Sequence, residues 1–385
     1  MKLVADQLRR LVYRAGFYLD VRGLVQLLKF KQLRDSYFKK LWMQAAQNVG
    51  AEYKDMGFGF AGISRNGLTT FVRESNVMLD DKLTLDIMGN KALVYKLLAG
   101  NGYSIPKHRR FSLNDLSACE AFFESHNGAV VVKPGRGTGG GRGVTTGVNS
   151  LKALRKAFRY AARYDSELLV EEQLEGHSYR LLYLDGKFID AVRRDPPVII
   201  GDGRSTIRKL VSLENKKRLS GDPVTALSPL KIDRDCQNKL RQLGLRPGSR
   251  LKAGQVIALK RAVNENCSLK NYSVRDQVHP QTVQAGERLA RDFGVKFAGL
   301  DVICKDISKP LETANGTFGE VNTTPGIHHH YLVNEATASV PVAELVLDYM
   351  FREKQGVMRL RKDQTMPVSI HGNCQENHKS KTADA

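Results

Sequence analysis

The sequence predicts an α+β fold divided into two or three domains or subdomains. With 385 residues the chain exceeds the size at which one hydrophobic core stops growing. Its 42% hydrophobic and 26% charged residues are those of a globular protein, neither disordered nor membrane-spanning. Short apolar runs of strand character alternate with helix-period stretches and are joined in places by hairpin turns.

Taken in order, residues 1–50 read as mostly helical, and the glycine-rich stretch 50–67 reads as loops and short strands. A helix is expected over residues 91–99, stopped by Gly100, Asn101 and Gly102, and another over 113–125 behind Ser112 and Asn114. Val130, Val131 and Val132 lie in a buried strand at 129–132 that runs into a glycine-dense loop, with a return strand over 143–148. A basic helix follows over 151–163, then a strand over 167–171 and a hairpin of 180–184 with 187–192 around Asp185 and Gly186. Residues 281–293 read as a helix, 297–304 and 317–322 as paired strands, and 340–351 as a closing amphipathic helix. From about 363 onward the chain is polar and aperiodic and is expected to be a flexible tail.

The expected boundaries are a basic helical region over 1–50, α+β units over 51–106, 107–172 and 173–362, and the tail over 363–385. Five cysteines, odd in number and without a CxxC pair, argue against a disulfide framework and a thiolate zinc site, and fit a cytoplasmic protein. No signal peptide is expected, and no stretch reaches the roughly 20 apolar residues of a membrane helix. The net charge of +20 points to an anionic partner. Residues 1–50 hold ten Lys or Arg against three Asp, with Tyr13, Tyr18, Tyr37 and Trp42 as candidate interface aromatics. That segment is either a solvated basic face or a dock for a polyanion or a membrane.

The chemistry concentrates in two places. At 130–144 a strand delivers Lys133 to a loop with glycines at 135, 137, 139, 140, 141 and 143. Backbone N–H groups there can approach an anion without a Cβ in the way, as a phosphate site requires. A strand rather than a helix follows, and no Gly-Lys-Ser/Thr closes the loop, so neither a Rossmann nor a Walker site is indicated. The bland alternative is a glycine loop with a surface lysine. The second place is Asp301 with Glu320 and Asn322. Residues two apart in a strand share a face, so a hairpin of 297–304 with 317–322 converges three hard oxygen donors suited to Mg²⁺. By itself such a set is as readily a polar strand edge.

Together the lysine strand with its glycine loop, the ELLVEE strand and the Asp…Glu-x-Asn-x-x-Pro-Gly ending resemble the ATP-grasp superfamily over about residues 85–345. Residues 167–207, 264–280 and EVNTTPGIHHH at 320–330 resemble in particular the ATP-grasp module of cyanophycin synthetases. The resemblance implies an ATP-grasp fold, two α+β subdomains clasping ATP, and a ligase that activates a carboxylate as an acyl phosphate and joins it to an amine. It implies Lys91 and Lys133 as nucleotide lysines, with Gly139, Gly140, Gly141 and Gly143 closing over the phosphates. Glu171, Glu172, Gln173 and Leu174 fall at the adenine hinge, Asp301, Glu320 and Asn322 become Mg²⁺ ligands, Arg194 neutralises the transferred phosphate, and Arg180 is a secondary candidate for contact with substrate or phosphate. Asn264 and His330 fall on the substrate side.

The chain also departs from the pattern. Ser178 stands where a carboxylate usually touches ribose, the segment 264–269 lacks a paired glycine, and Ser273 replaces an aspartate. The Mur-ligase-like module of the larger relatives is missing, so one bond type is expected. Expected partners are a carboxylate and an amine substrate, with a homo-oligomer implied by the resemblance and no nucleic acid. A uronic acid or carrier-bound acceptor, and a polyanion- or membrane-binding protein on an inherited core, are the rival readings. Three consecutive histidines in a strand cannot face one ion, so zinc at 328–330 is not expected.

Overall fold

The computed structural model describes residues 21–136, 141–221, 227–261, 271–312, 315–335 and 339–360. Tyr13, Tyr18, Gly139, Gly140, Asn264 and the tail over 363–385 lie outside them.

Helix α1, Val21–Asn48, buries Phe38, Trp42, Ala45 and Ala46, spaced as one face of a helix. Strands β1 (Glu52–Gly57), β2 (Phe60–Arg65) and β3 (Leu68–Val72) form an antiparallel meander against it. Trp42 is 2% exposed and its indole donates to the Glu74 carbonyl at 2.8 Å. It is a core residue, not the interface aromatic expected of it. Helices α2 (Lys82–Met88) and α3 (Lys91–Gly100) follow, capped by the side chains of Asp81 and Asn90, which satisfy backbone N–H groups of the first turn.

A four-stranded antiparallel sheet comes next, built from β4 (His108–Ser112), β5 (Val130–Pro134), β6 (Thr145–Val148) and β7 (Glu167–Glu172) in the order β4-β7-β5-β6. Helices α4 (Leu116–Glu124) and α5 (Leu151–Ala161) cover it. Ser150 caps α5, whose Leu154, Ala157, Phe158 and Ala161 form the buried stripe. The returning strand begins at Thr145, two residues later than expected. Gly143 has φ +78°, and a Cβ there would stand 2.6 Å from the Tyr164 ring and 2.7 Å from Pro134. The glycine folds the loop back onto its own strand.

Strands β8 (His177–Leu184) and β9 (Lys187–Arg194) form the expected hairpin. Beyond it a small unit holds β10 (Val198–Ile200), α6 (Ile207–Arg218), α7 (Arg234–Gln242) and β11 (Val256–Ala258), with its own core of Ile199, Ile207, Leu240 and Leu251. The chain then returns through β12 (Asn271–Ser273), α8 (Pro280–Asp292), β13 (Phe297–Cys304) and β14 (Gly316–Asn322). These complete a five-stranded sheet in the order β12-β9-β8-β13-β14.

Both faces of that sheet are buried, with period-two alternation. Leu181, Tyr183, Leu300 and Val302 pack in one core with Val94 and Leu98 of α3, whereas Leu182, Leu184 and Phe297 pack in another with α1. Helix α9, His328–Tyr331, and α10, Val342–Glu353, finish the described chain. The histidines at 328–330 therefore lie in a helical turn rather than the expected strand, because Pro325 and Gly326 end the extended run.

Candidate active site

Register brings the expected metal donors together. Asp301 pairs with Glu320 across β13 and β14, and Gly299 pairs with Asn322. Asp301 also stands opposite Arg180 of β8. Gly319 is the extra residue of a bulge between the Asp301 and Val302 pairings, a kink that turns the end of β14 and re-aims Glu320.

Asp301 holds two guanidinium groups. Arg180 Nε lies 2.5 Å and Arg194 Nη2 3.0 Å from its Oδ1. Burial pushes the Asp301 carboxyl up, but Arg180 and Arg194 outweigh it and hold the group below the ordinary aspartate range. One carboxylate against two guanidiniums leaves a surplus positive charge. Arg194 Nε is buried without a hydrogen-bond partner. Ser178 accepts a hydrogen bond from Arg194 Nη2 at 2.8 Å and faces it in register, so the serine orients the arginine.

Lys91, at the first turn of α3, reaches Glu320 Oε1 at 2.5 Å, and its backbone N–H donates to Gly135 O. Lys133 pairs with Glu171 Oε1 at 2.6 Å, while Tyr95 donates to Glu171 Oε2 at 2.8 Å and accepts from Lys133 at 3.3 Å. The Glu171 carboxylate is thus committed to fixing Lys133. Tyr95 is a member of the site that sequence reasoning missed, since a tyrosine on an apolar helix face reads as core. Glu172 accepts from Lys107 N–H at 2.9 Å, and the Leu174 carbonyl accepts from the Gln173 side chain at 3.2 Å.

His330 is fully buried, with Nδ1 2.6 Å from Asp190 Oδ2. The side chain expected on the substrate side is thus enclosed against β9 in this structure. Burial lowers its pKa while Asp190 works in the opposite sense, and burial holds His328 and His329 well below the ordinary histidine value. Among the described residues no group of three His, Cys, Asp or Glu is placed to hold a metal ion. The set here is two carboxylates and an amide. Asn322 Nδ2 donates to Gly299 O at 3.1 Å, which leaves its oxygen as the coordinating end. Three hard oxygen donors fit Mg²⁺, and the unpartnered Arg194 Nε together with the surplus charge fits a phosphate.

The fold is of the ATP-grasp type. The chain's sequence relatives are the cyanophycin synthetases and the bifunctional glutathione proteins. The chain is 29% identical to the cyanophycin synthetase of Trichormus variabilis over 277 residues, 71% of this chain and 30% of that protein. It is 28% identical to the glutathione biosynthesis bifunctional protein of Clostridium perfringens over 296 residues, 76% of this chain and 38% of that protein. The crystal structure of a bifunctional glutathione synthetase from Pasteurella multocida superimposes with a TM-score of 0.51 at 23% identity, covering 80% of this chain and 44% of that one. No family model matches the sequence. The chain spans about a third of the length of the relatives it matches.

Proposed function

We propose that this protein is an ATP- and Mg²⁺-dependent ligase that activates a carboxylate as an acyl phosphate and joins it to an amine of an amino acid or peptide. The observation that carries the reading is the Asp301–Glu320 pair, set in register beside the Arg180 and Arg194 guanidiniums with Lys91 on the same acid. Relatedness to cyanophycin synthetases and glutathione proteins supports the same class.

In this reading Lys91, Lys133 and the loop around Gly141 and Gly143 hold the phosphates of ATP. Asp301, Glu320 and Asn322 would hold Mg²⁺, which when bound neutralises charge on the phosphate oxygens. A substrate carboxylate oxygen attacks the γ-phosphorus, the bond to the bridging oxygen breaks, and ADP leaves with that electron pair. The amine then attacks the acyl carbon, phosphate departs, and the amine proton passes to solvent. In this reading Arg194 and Arg180 serve the first step, in which three equatorial oxygens carry the developing charge. Burial raises the worth of those cations, because little solvent competes with them. No protein nucleophile is needed.

The test is ADP release with panels of carboxylates and amines. A pair that stimulates release, with the joined product found by mass spectrometry, is the expected result. If the protein binds ATP and Mg²⁺ yet no combination stimulates release, the ligase reading fails.

A further inference from the structure

One end of the molecule exposes apolar side chains on two separate elements. Strand β1 turns into β2 through Gly57, Phe58 and Gly59. Phe58 is 91% exposed and sits at φ 54°, a left-handed conformation unfavourable to a bulky residue. Asn or Gly serves such a turn better, so turn geometry does not account for the phenylalanine. Met56 and Phe60, on the two strands, are also exposed. On α1, Val25, Leu27 and Leu28 are each more than half exposed.

Side-chain contacts place these elements together. β1 runs back along α1, with Lys39 Nζ 2.8 Å from Asp55. Arg34 pairs with Glu74 at 2.9 Å, next to Arg73, whose guanidinium lies 5.1 Å over the Phe60 ring. Arg34 therefore marks the height of the hairpin on the helix. Leu28 is six residues further, or about 9 Å along the axis. The surroundings are basic: residues 21–48 contain six Lys or Arg and one Asp, and Lys29, Lys31 and Lys54 are exposed.

We propose that this end docks on an anionic lipid surface, with the Phe58 tip and the Val25–Leu28 stretch entering the headgroup boundary while Lys29 and Lys31 meet lipid phosphates. An apolar wedge ringed by cations matches the two halves of such an interface. Among the described residues no helix is long and apolar enough to cross a membrane. Charge decides against the other occupants. A second copy meeting this end by two-fold symmetry would set the same basic helix against itself. A nucleic acid has no use for the aliphatic side chains at 25, 27 and 28. The proposal stands apart from the ligase reading.

The experiment is co-sedimentation of the full chain with vesicles of phosphatidylcholine alone and of phosphatidylcholine mixed with phosphatidylserine. Binding is expected only to the anionic vesicles, weakening by about fivefold for each lysine removed at 29 and 31. Phe58→Asn keeps a residue that tolerates the turn. Combined with Leu28→Ser it is expected to weaken binding roughly tenfold with the melting temperature unchanged. Wild-type protein that ignores anionic vesicles, or variants that bind as well as wild type, would overturn the proposal. So would a change in oligomer size with Phe58→Asn in the absence of vesicles, which would assign the tip to a second copy. ATP binding by the same variants is expected to be unchanged and reports on the nucleotide site separately.

Discussion

Asp301 illustrates how much of the site depends on single side chains held in register. Gly299, two residues earlier, has no room for a Cβ: one would meet Pro325 at 2.6 Å and the Arg180 side chain at 3.1 Å. Gly299→Ala is therefore expected to push Arg180 off Asp301 and to weaken ATP binding, with isothermal titration as the measure. Tyr95→Phe removes the hydroxyl that joins Lys133 to Glu171 while keeping the packed ring. A loss of about 1 kcal/mol, or roughly fivefold in nucleotide affinity, is expected, with the fold intact by circular dichroism. The buried histidines make a further prediction at this scale. His328 and His329 are held neutral in the folded state, whereas the unfolded chain takes up protons below its ordinary value of 6.5. Unfolded protein then binds more protons, so stability falls as pH drops through that value, by up to about 1.4 kcal/mol per pH unit for each histidine. Asp301 acts in the same direction at lower pH, its contribution being lost below its ordinary value of 3.8. Denaturant unfolding between pH 5 and 7 should show the slope, and His328→Met should flatten it. These residues differ in how legible they were. Asp301, Glu320 and Asn322 stood out because period-two alternation and a Pro-Gly stop place them without knowledge of the rest. Tyr95 and Asp190 did not, since each gains its role from a partner at least 38 positions away.

At the level of elements, the sheet carrying the glycine loop has a guarded edge. Thr146 in edge strand β6 donates its N–H to Asp235 at 2.8 Å, and its carbonyl accepts from Asn238 at 2.6 Å. Gln242 donates to the Gly147 carbonyl at 2.6 Å. The three residues lie on α7, so that helix serves as a missing neighbouring strand. The unit between β9 and β12 is thereby tied to the sheet that carries the glycine loop. Asp235→Ala leaves a buried N–H unsatisfied and should cost about 1–3 kcal/mol. The expected signature is faster amide exchange at Thr146, with the amides of β13 unchanged. Strand pairings such as β8 with β9 and β13 with β14 were readable from local pattern. The α7 contact was not, because polar residues at 235, 238 and 242 have the spacing of an ordinary solvated helix face.

Taken whole, the molecule joins two sheets through α3 and β14. Lys91 binds Glu320 of the five-stranded sheet, and its N–H meets Gly135 at the root of the loop. Tyr95, one turn on, reaches Lys133 and Glu171 of the other sheet. The charge of the molecule has two addresses in this account, the phosphate site and the exposed end of α1 beside the Phe58 turn. Composition announced the charge but could not locate it, because burial of Trp42 and exposure of Phe58 are decided by packing across the meander.

The most direct measurement follows the oxygen. With a heavy-oxygen-labelled carboxylate, its amine partner, ATP and Mg²⁺, acyl phosphate formation must carry one carboxylate oxygen into the released phosphate. The account predicts one labelled oxygen per phosphate with wild-type protein, and loss of both label transfer and ADP release with Glu320→Gln. Release of ADP with unlabelled phosphate would mean that water attacks the nucleotide, and would contradict it.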